Sequence, residues 1–165
     1  MTTLEALRRI LLRDLATLRR EVEAYGRESD LWTCPAGITN SAGTLALHLA
    51  GNLRHFIGAQ LGGTGYVRDR DAEFNDRNVP RAVLISHIED AARAVDQTLR
   101  MLPEARLAEP YPLEVGGTRP ETGLFLQHLA THFAYHLGQV DYHRRLVTGG
   151  TATVGAQSVP ELARP

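Results

Sequence analysis

Residues 128 to 145 read HLATHFAYHLGQVDYHRR and hold four of the chain's seven histidines, at positions 128, 132, 136 and 143. The apolar residues of this stretch, Leu129, Phe133, Leu137 and Val140, follow Phe125 at the helical interval. Residues four apart on a helix are offset by about 40° and one turn of rise, so His132 and His136 share a face. His128 extends the row back by a turn, and His143 lies seven residues after His136 on the same general face. A helical wheel sets His132 and His136 beside Phe125, Leu129 and Val140, toward the core and away from water. A buried imidazole is costly unless its ring nitrogens find partners. Two arrangements meet that demand: a pair hydrogen-bonded to neighbours at the edge of the core, or a pair ligating one ion, which satisfies a nitrogen of each ring at once.

This helix is predicted over residues 120–148, from Pro120 and Glu121 to the Gly149-Gly150 stop. Three further stretches have the same period. Over 3–25 the stripe is Leu4, Leu7, Leu11, Leu15, Leu18, Val22 and Tyr25, with Gly26 as the stop. Over 41–61 the cap is Asn40 or Ser41, and Gly62-Gly63 ends the run. Over 80–102 the stripe is Leu84, Ile88, Ala91, Val95 and Leu102, with Asn78 as cap, Pro80 in the first turn and Pro103 as terminator. Four amphipathic helices of about 30 Å or more predict an all-α fold, most simply a four-helix bundle in one domain over 1–165. The links 62–79 and 103–119 are long enough for crossovers, and YPLEVGG in the second reads as a short extended piece. The tail over 150–165 is expected to be irregular.

Composition narrows the function classes. A formal net charge of −1 gives no bulk attraction to nucleic acid. No apolar run approaches the roughly 18 residues of a spanning helix, so no membrane association is expected. The amphipathic start, with Glu5 and Asp14, lacks the apolar core of a secretory leader. The single cysteine, Cys34, excludes an internal disulfide and fits a reducing compartment, so a cytoplasmic location is expected. All 18 basic residues are arginine, which excludes lysine Schiff bases and P-loops.

A third ligand for the histidine pair is found in LALHLAGNLRHFIGA, Leu45 to Ala59. His48 falls between Leu45, Leu49 and Phe56 on the wheel and faces the core; His55, seven residues on, is the alternative, although Arg54 beside it argues for a flank. Three imidazoles would leave a coordination position open, as catalytic zinc sites do. Asn52, one turn beyond His48, either holds a water or a ligand ring or fills a packing gap. His87 has no assigned role, His128 suits an outer contact or interface, and His143 beside Arg144 and Arg145 suits a helix C-terminus. The loop YVRDRDAEF, Tyr66 to Phe74, reads as a solvated loop with local ion pairs, or as one that turns Arg68 or Arg70 to a substrate carboxylate. No glutamate adjoins the histidines as in H-E-x-x-H enzymes, so a base would have to be Glu73 approaching from this loop.

THFAYHLGQVDYHRRLVTG (131–149) and SAGTLALHLAGNLRHFIGAQLGG (41–63) resemble the last-helix and second-helix motifs of the DinB-like superfamily of metal-binding four-helix bundles. That superfamily includes YfiT-like proteins and the bacillithiol- and mycothiol-dependent transferases. The resemblance spans most of 31–150. It implies His48, His132 and His136 as ligands of a divalent ion, zinc or nickel, with Gly138 and Gln139 continuing the motif. It also implies a homodimer and helices that do not simply alternate up and down. Characterised relatives transfer low-molecular-weight thiols or isomerise maleylpyruvate with a thiol cofactor. The expected function is metal-dependent activation of such a thiol for transfer to a small electrophile, with Asn52, Gln139, Arg68, Arg70 and Glu73 as candidates either to support the ligand rings or to contact substrate. The alternatives are a dimeric metal-binding module without turnover and a metal-dependent hydrolase.

Overall fold

The computed structural model describes residues 1–163. Among them it contains helices α1 (Thr3–Glu23), α2 (Ala42–Leu53), α3 (Arg70–Asn75), α4 (Arg81–Met101), α5 (Thr122–Thr148) and α6 (Val159–Leu162), and no strand. The all-α expectation therefore holds. Caps set several boundaries. Thr2 accepts the Glu5 amide at 3.2 Å, and Ser41, rather than Asn40, accepts the Thr44 amide at 3.2 Å. Gly149 closes α5 at φ 70°, the left-handed conformation that glycine adopts without steric cost. Asn78 is not the cap of α4: it sits at φ 58°, and the helix begins one residue after Pro80.

α1 packs on α4 and α5, and α2 packs on the same two helices, whereas α1 and α2 barely touch. The helices thus run round the core in the order α1, α4, α2, α5, and α1 lies diagonally opposite α2, as α4 does opposite α5. Diagonal placement needs long connections, which explains the link over 103–119. The shared core includes Leu11, Leu15, Leu18, Leu49, Leu84, Ile88, Val95, Leu129 and Phe133, each about 2% exposed or less. Full burial of such a side chain stabilises by about 1.5–3 kcal/mol.

Four segments differ from the sequence reading or add to it. The second helix is not a continuous α-helix over 41–61: after Leu53 it widens into a π-helical turn, Arg54–Ala59. The 62–79 link is not all loop, because α3 forms within it, capped by Asp69 on the Ala72 amide at 2.9 Å. α3 covers the outer face of α2 at Gly51 and Trp32 covers it at Gly43, while α4 and α5 pack on the rest, so every residue of AGTLALHLAGNL except Leu47 is buried. YPLEVGG forms no strand but falls among two isolated antiparallel bridges, Pro110 to Glu121 and Val115 to Thr118. The tail docks on α1, where Arg20 donates to the Val154 carbonyl at 2.9 Å and Arg13 to Gln157 at 2.8 Å, and it carries the single turn α6. Among the described residues no helix is long and apolar enough to cross a membrane.

Candidate metal centre

Because α2 and α5 are neighbours in the ring, the inner face of α2 presents His48 to His132 and His136 of α5. Nitrogens of the three rings lie within 4.8 Å of one another, a cluster placed to hold a metal ion. Nε2 of His48 and Nε2 of His132 are 3.4 Å apart. That is close to the roughly 3.3 Å edge of a tetrahedron whose zinc–nitrogen distances are about 2.0–2.1 Å.

Hydrogen bonds on the far side of two rings set which nitrogen is free. Nδ1 of His48 donates to Oε2 of Glu73 at 3.2 Å, leaving Nε2 with its lone pair toward the cluster. Nδ1 of His136 donates to Oε1 of Gln139 at 2.6 Å, with the same result. His132 has a buried Nδ1 without a partner. Burial, with the facing His136 and His48, pushes its pKa down to about 4, so the ring is neutral near neutral pH. Three imidazoles whose ring nitrogens converge are a donor set suited to a divalent cation.

Glu73 is held as firmly as the ring it orients. Arg68 grips it bidentately, Nε to Oε1 and Nη2 to Oε2, both at 2.7 Å. The 3.3 Å approach of Arg68 Nη2 to His48 Nδ1 is that of two donors converging on Oε2. Burial raises the carboxyl pKa, but the hydrogen bonds from His48 and Arg68 more than offset this and hold it below its ordinary value. Glu73 comes this close to α2 because residue 51 is glycine: a Cβ there would collide with Glu73 Oε1. Phe74, from the next position of α3, rests its ring 4.9 Å from that of His48.

The remaining candidates are placed as follows. Arg68 and Glu73 join His48, and Gln139 joins His136. Arg70 is exposed, with its guanidinium 4.8 Å above the Phe74 ring. Asn52 is buried but makes none of the hydrogen bonds of the cluster. His55 does not join the three: the π-helical turn rotates residues after Leu53 away from a wheel drawn at the α-helical interval. His128 stacks on Phe125 at 5.8 Å and lies 6.0 Å from His132, exposed at the flank. His143 does lie in the last turns of α5. It is buried, accepts from the Tyr25 hydroxyl at 2.7 Å and donates through Nε2 to the Thr33 carbonyl at 2.8 Å. The sequence reading missed Gly51, Phe74 and the Tyr25–His143 pair. A glycine in mid-helix was the one available signal, since such a residue commonly marks a close approach.

The fold and the cluster together define an all-helical protein with a three-histidine site placed for a metal ion. Residues 4–154 match the model of DUF1572, a family described as a protein of unknown function, and the chain belongs to that family. Neither the curated proteins nor the solved structures yield a match.

Proposed function

We propose that His48, His132 and His136 ligate a divalent ion, zinc or nickel, in a DinB-like bundle that activates a low-molecular-weight thiol for transfer to a small electrophile. The observation that carries this reading is the convergence of three ring nitrogens from two helices, two of the rings being held by hydrogen bonds on the opposite side. A divalent ion held by neutral ligands keeps its full charge and lowers the pKa of a thiol or water beside it.

The surrounding residues favour a strongly electropositive site. Glu73 would weaken it if its charge stood alone, but Arg68 compensates that charge at 2.7 Å. The carboxylate is then left to orient His48 and strengthen its Nε2 as a donor. His132 stays unprotonated, and so available as a ligand, well below neutral pH. Gln139 fixes the ring plane of His136.

The same engagement bears on the hydrolase alternative. Both oxygens of Glu73 are committed to Arg68, and one also to His48, so this carboxylate is not free to take a proton from water. A module that binds metal without turnover is the second reading, favoured by the burial of His48 in the bundle, where an ion would tie α2 to α5.

The test has two stages. Elemental analysis of protein purified without an affinity tag is expected to find about one zinc or nickel per chain. Incubation with glutathione, bacillithiol or mycothiol and a model electrophile is then expected to give conjugates above the uncatalysed rate. Metal without conjugates for any of the three thiols would select the binding module; no metal would remove both readings.

A further inference from the structure

On the side of α5 that carries Gln139, a cavity of about 390 Å³ opens between that helix, the 37–40 loop and the start of α2. Ile38, Leu45, Tyr142 and Leu146 form its apolar walls, and none of the residues lining it is Asp, Glu, Arg or Lys. His143 also lines it, but both of its ring nitrogens are occupied, by the Tyr25 hydroxyl and the Thr33 carbonyl. It therefore presents a ring face and no free hydrogen-bonding group. Ile38, Tyr142 and Leu146 are 39%, 77% and 62% exposed, an unusual concentration of uncovered large apolar side chains around one opening.

Among the described residues, Gln139 is the one side chain shared between this cavity and the histidine cluster. Its Oε1 accepts from His136, which turns the two donor hydrogens of the amide nitrogen to the opposite side. No hydrogen bond among the described residues uses that nitrogen.

We infer that this cavity is a binding site for a small uncharged molecule with an aromatic or branched aliphatic body and a carbonyl oxygen that accepts from the Gln139 amide. The volume lies within the range of small-molecule pockets, which combine apolar walls with a few placed polar groups. A charged ligand would be desolvated there without a counter-ion. As a statement about binding it stands without a metal; only the role of the occupant, as the electrophile of the proposed reaction, rests on the preceding reading.

The probe is 6-propionyl-2-dimethylaminonaphthalene, a neutral aromatic ketone whose emission moves to the blue in apolar surroundings. Titration into the full-length protein is expected to be saturable at one site. Ile38→Asp and Leu146→Arg, both at exposed positions, should each weaken binding about tenfold or more, and Gln139→Leu about fivefold, with circular dichroism unchanged. The anionic 1-anilinonaphthalene-8-sulfonate should bind at least tenfold more weakly than the neutral probe. Binding that survives in His132→Ala supports the cavity even if no metal is found. Absence of saturable binding, or affinity unmoved in both Ile38→Asp and Leu146→Arg, overturns the inference and leaves the metal reading untouched.

Discussion

The carboxylate of Glu73 reaches Nδ1 of His48 at 3.2 Å across 25 positions of sequence, and it does so over the bare backbone of Gly51. This contact joins α3, which has no place in a simple bundle, to the centre of α2. It converts what reads as a charged surface loop into part of the histidine cluster.

Replacing Glu73 by glutamine keeps the shape and removes the charge. Arg68 would then be buried beside a neutral group, and His48 would lose its anionic partner. Affinity for zinc, measured by competition with a chromophoric chelator, is expected to fall about 10–100-fold. An affinity equal to the wild type would show that Glu73 does not support the ring.

Gly51→Ala tests the close approach itself. The added methyl would collide with Glu73 Oε1, so α3 or the carboxylate must shift. Overpacking of this kind costs about 1–3 kcal/mol. Urea unfolding should show that loss, and zinc affinity should fall with it. A Cβ added at exposed Gly138 would meet no atom within 4 Å, so Gly138→Ala is the control and should show neither effect.

Substitution of His132 by alanine is expected to abolish stoichiometric metal binding, measured by elemental analysis after dialysis. A Tm lowered in the presence of metal to that of the metal-free wild type would support the binding module. Lost conjugation with the fold intact would support the transferase.

The metal-free protein should lose stability in acid through the same residue. In the folded chain His132 is pushed down to about 4 from an ordinary value of 6.5. The unfolded chain therefore takes up the proton first as pH falls. The penalty is absent above 6.5, grows through the window from 6.5 to about 4, and levels off below it. Its size is at most roughly 3 kcal/mol, and smaller to the extent that water screens this partly exposed ring. Denaturant midpoints at pH 7 and pH 4.5 should differ less in His132→Gln than in the wild type.

Tyr25→Phe removes the hydroxyl that caps Nδ1 of buried His143. One unsatisfied nitrogen in the interior costs about 1–3 kcal/mol. The loss should appear in unfolding curves without any change in zinc affinity, because this pair lies outside the cluster.

Spacing alone carried the helices and most of their faces. Leu4 through Tyr25, Leu84 through Val95 and Phe125 through Val140 are buried on the sides that a period of 3.6 assigns. The His132–His136 pair was legible for the same reason, since four residues on one helix fix a relative direction whatever packs against it. His48 was a preference over His55 until the helix order made α2 a neighbour of α5 and the π-helical turn displaced residues after Leu53. Local periodicity cannot report either: one is a long-range contact, the other a change in the period itself. Glu73, Arg68 and Gly51 belong to the cluster only through tertiary structure, because charge alternation in 66–74 looks the same on a solvated loop and on a helix folded over a buried imidazole. His143 was legible only as a residue near a helix C-terminus. Only the arrival of Tyr25 and Thr33 from elsewhere in the chain made burial tolerable for this polar ring.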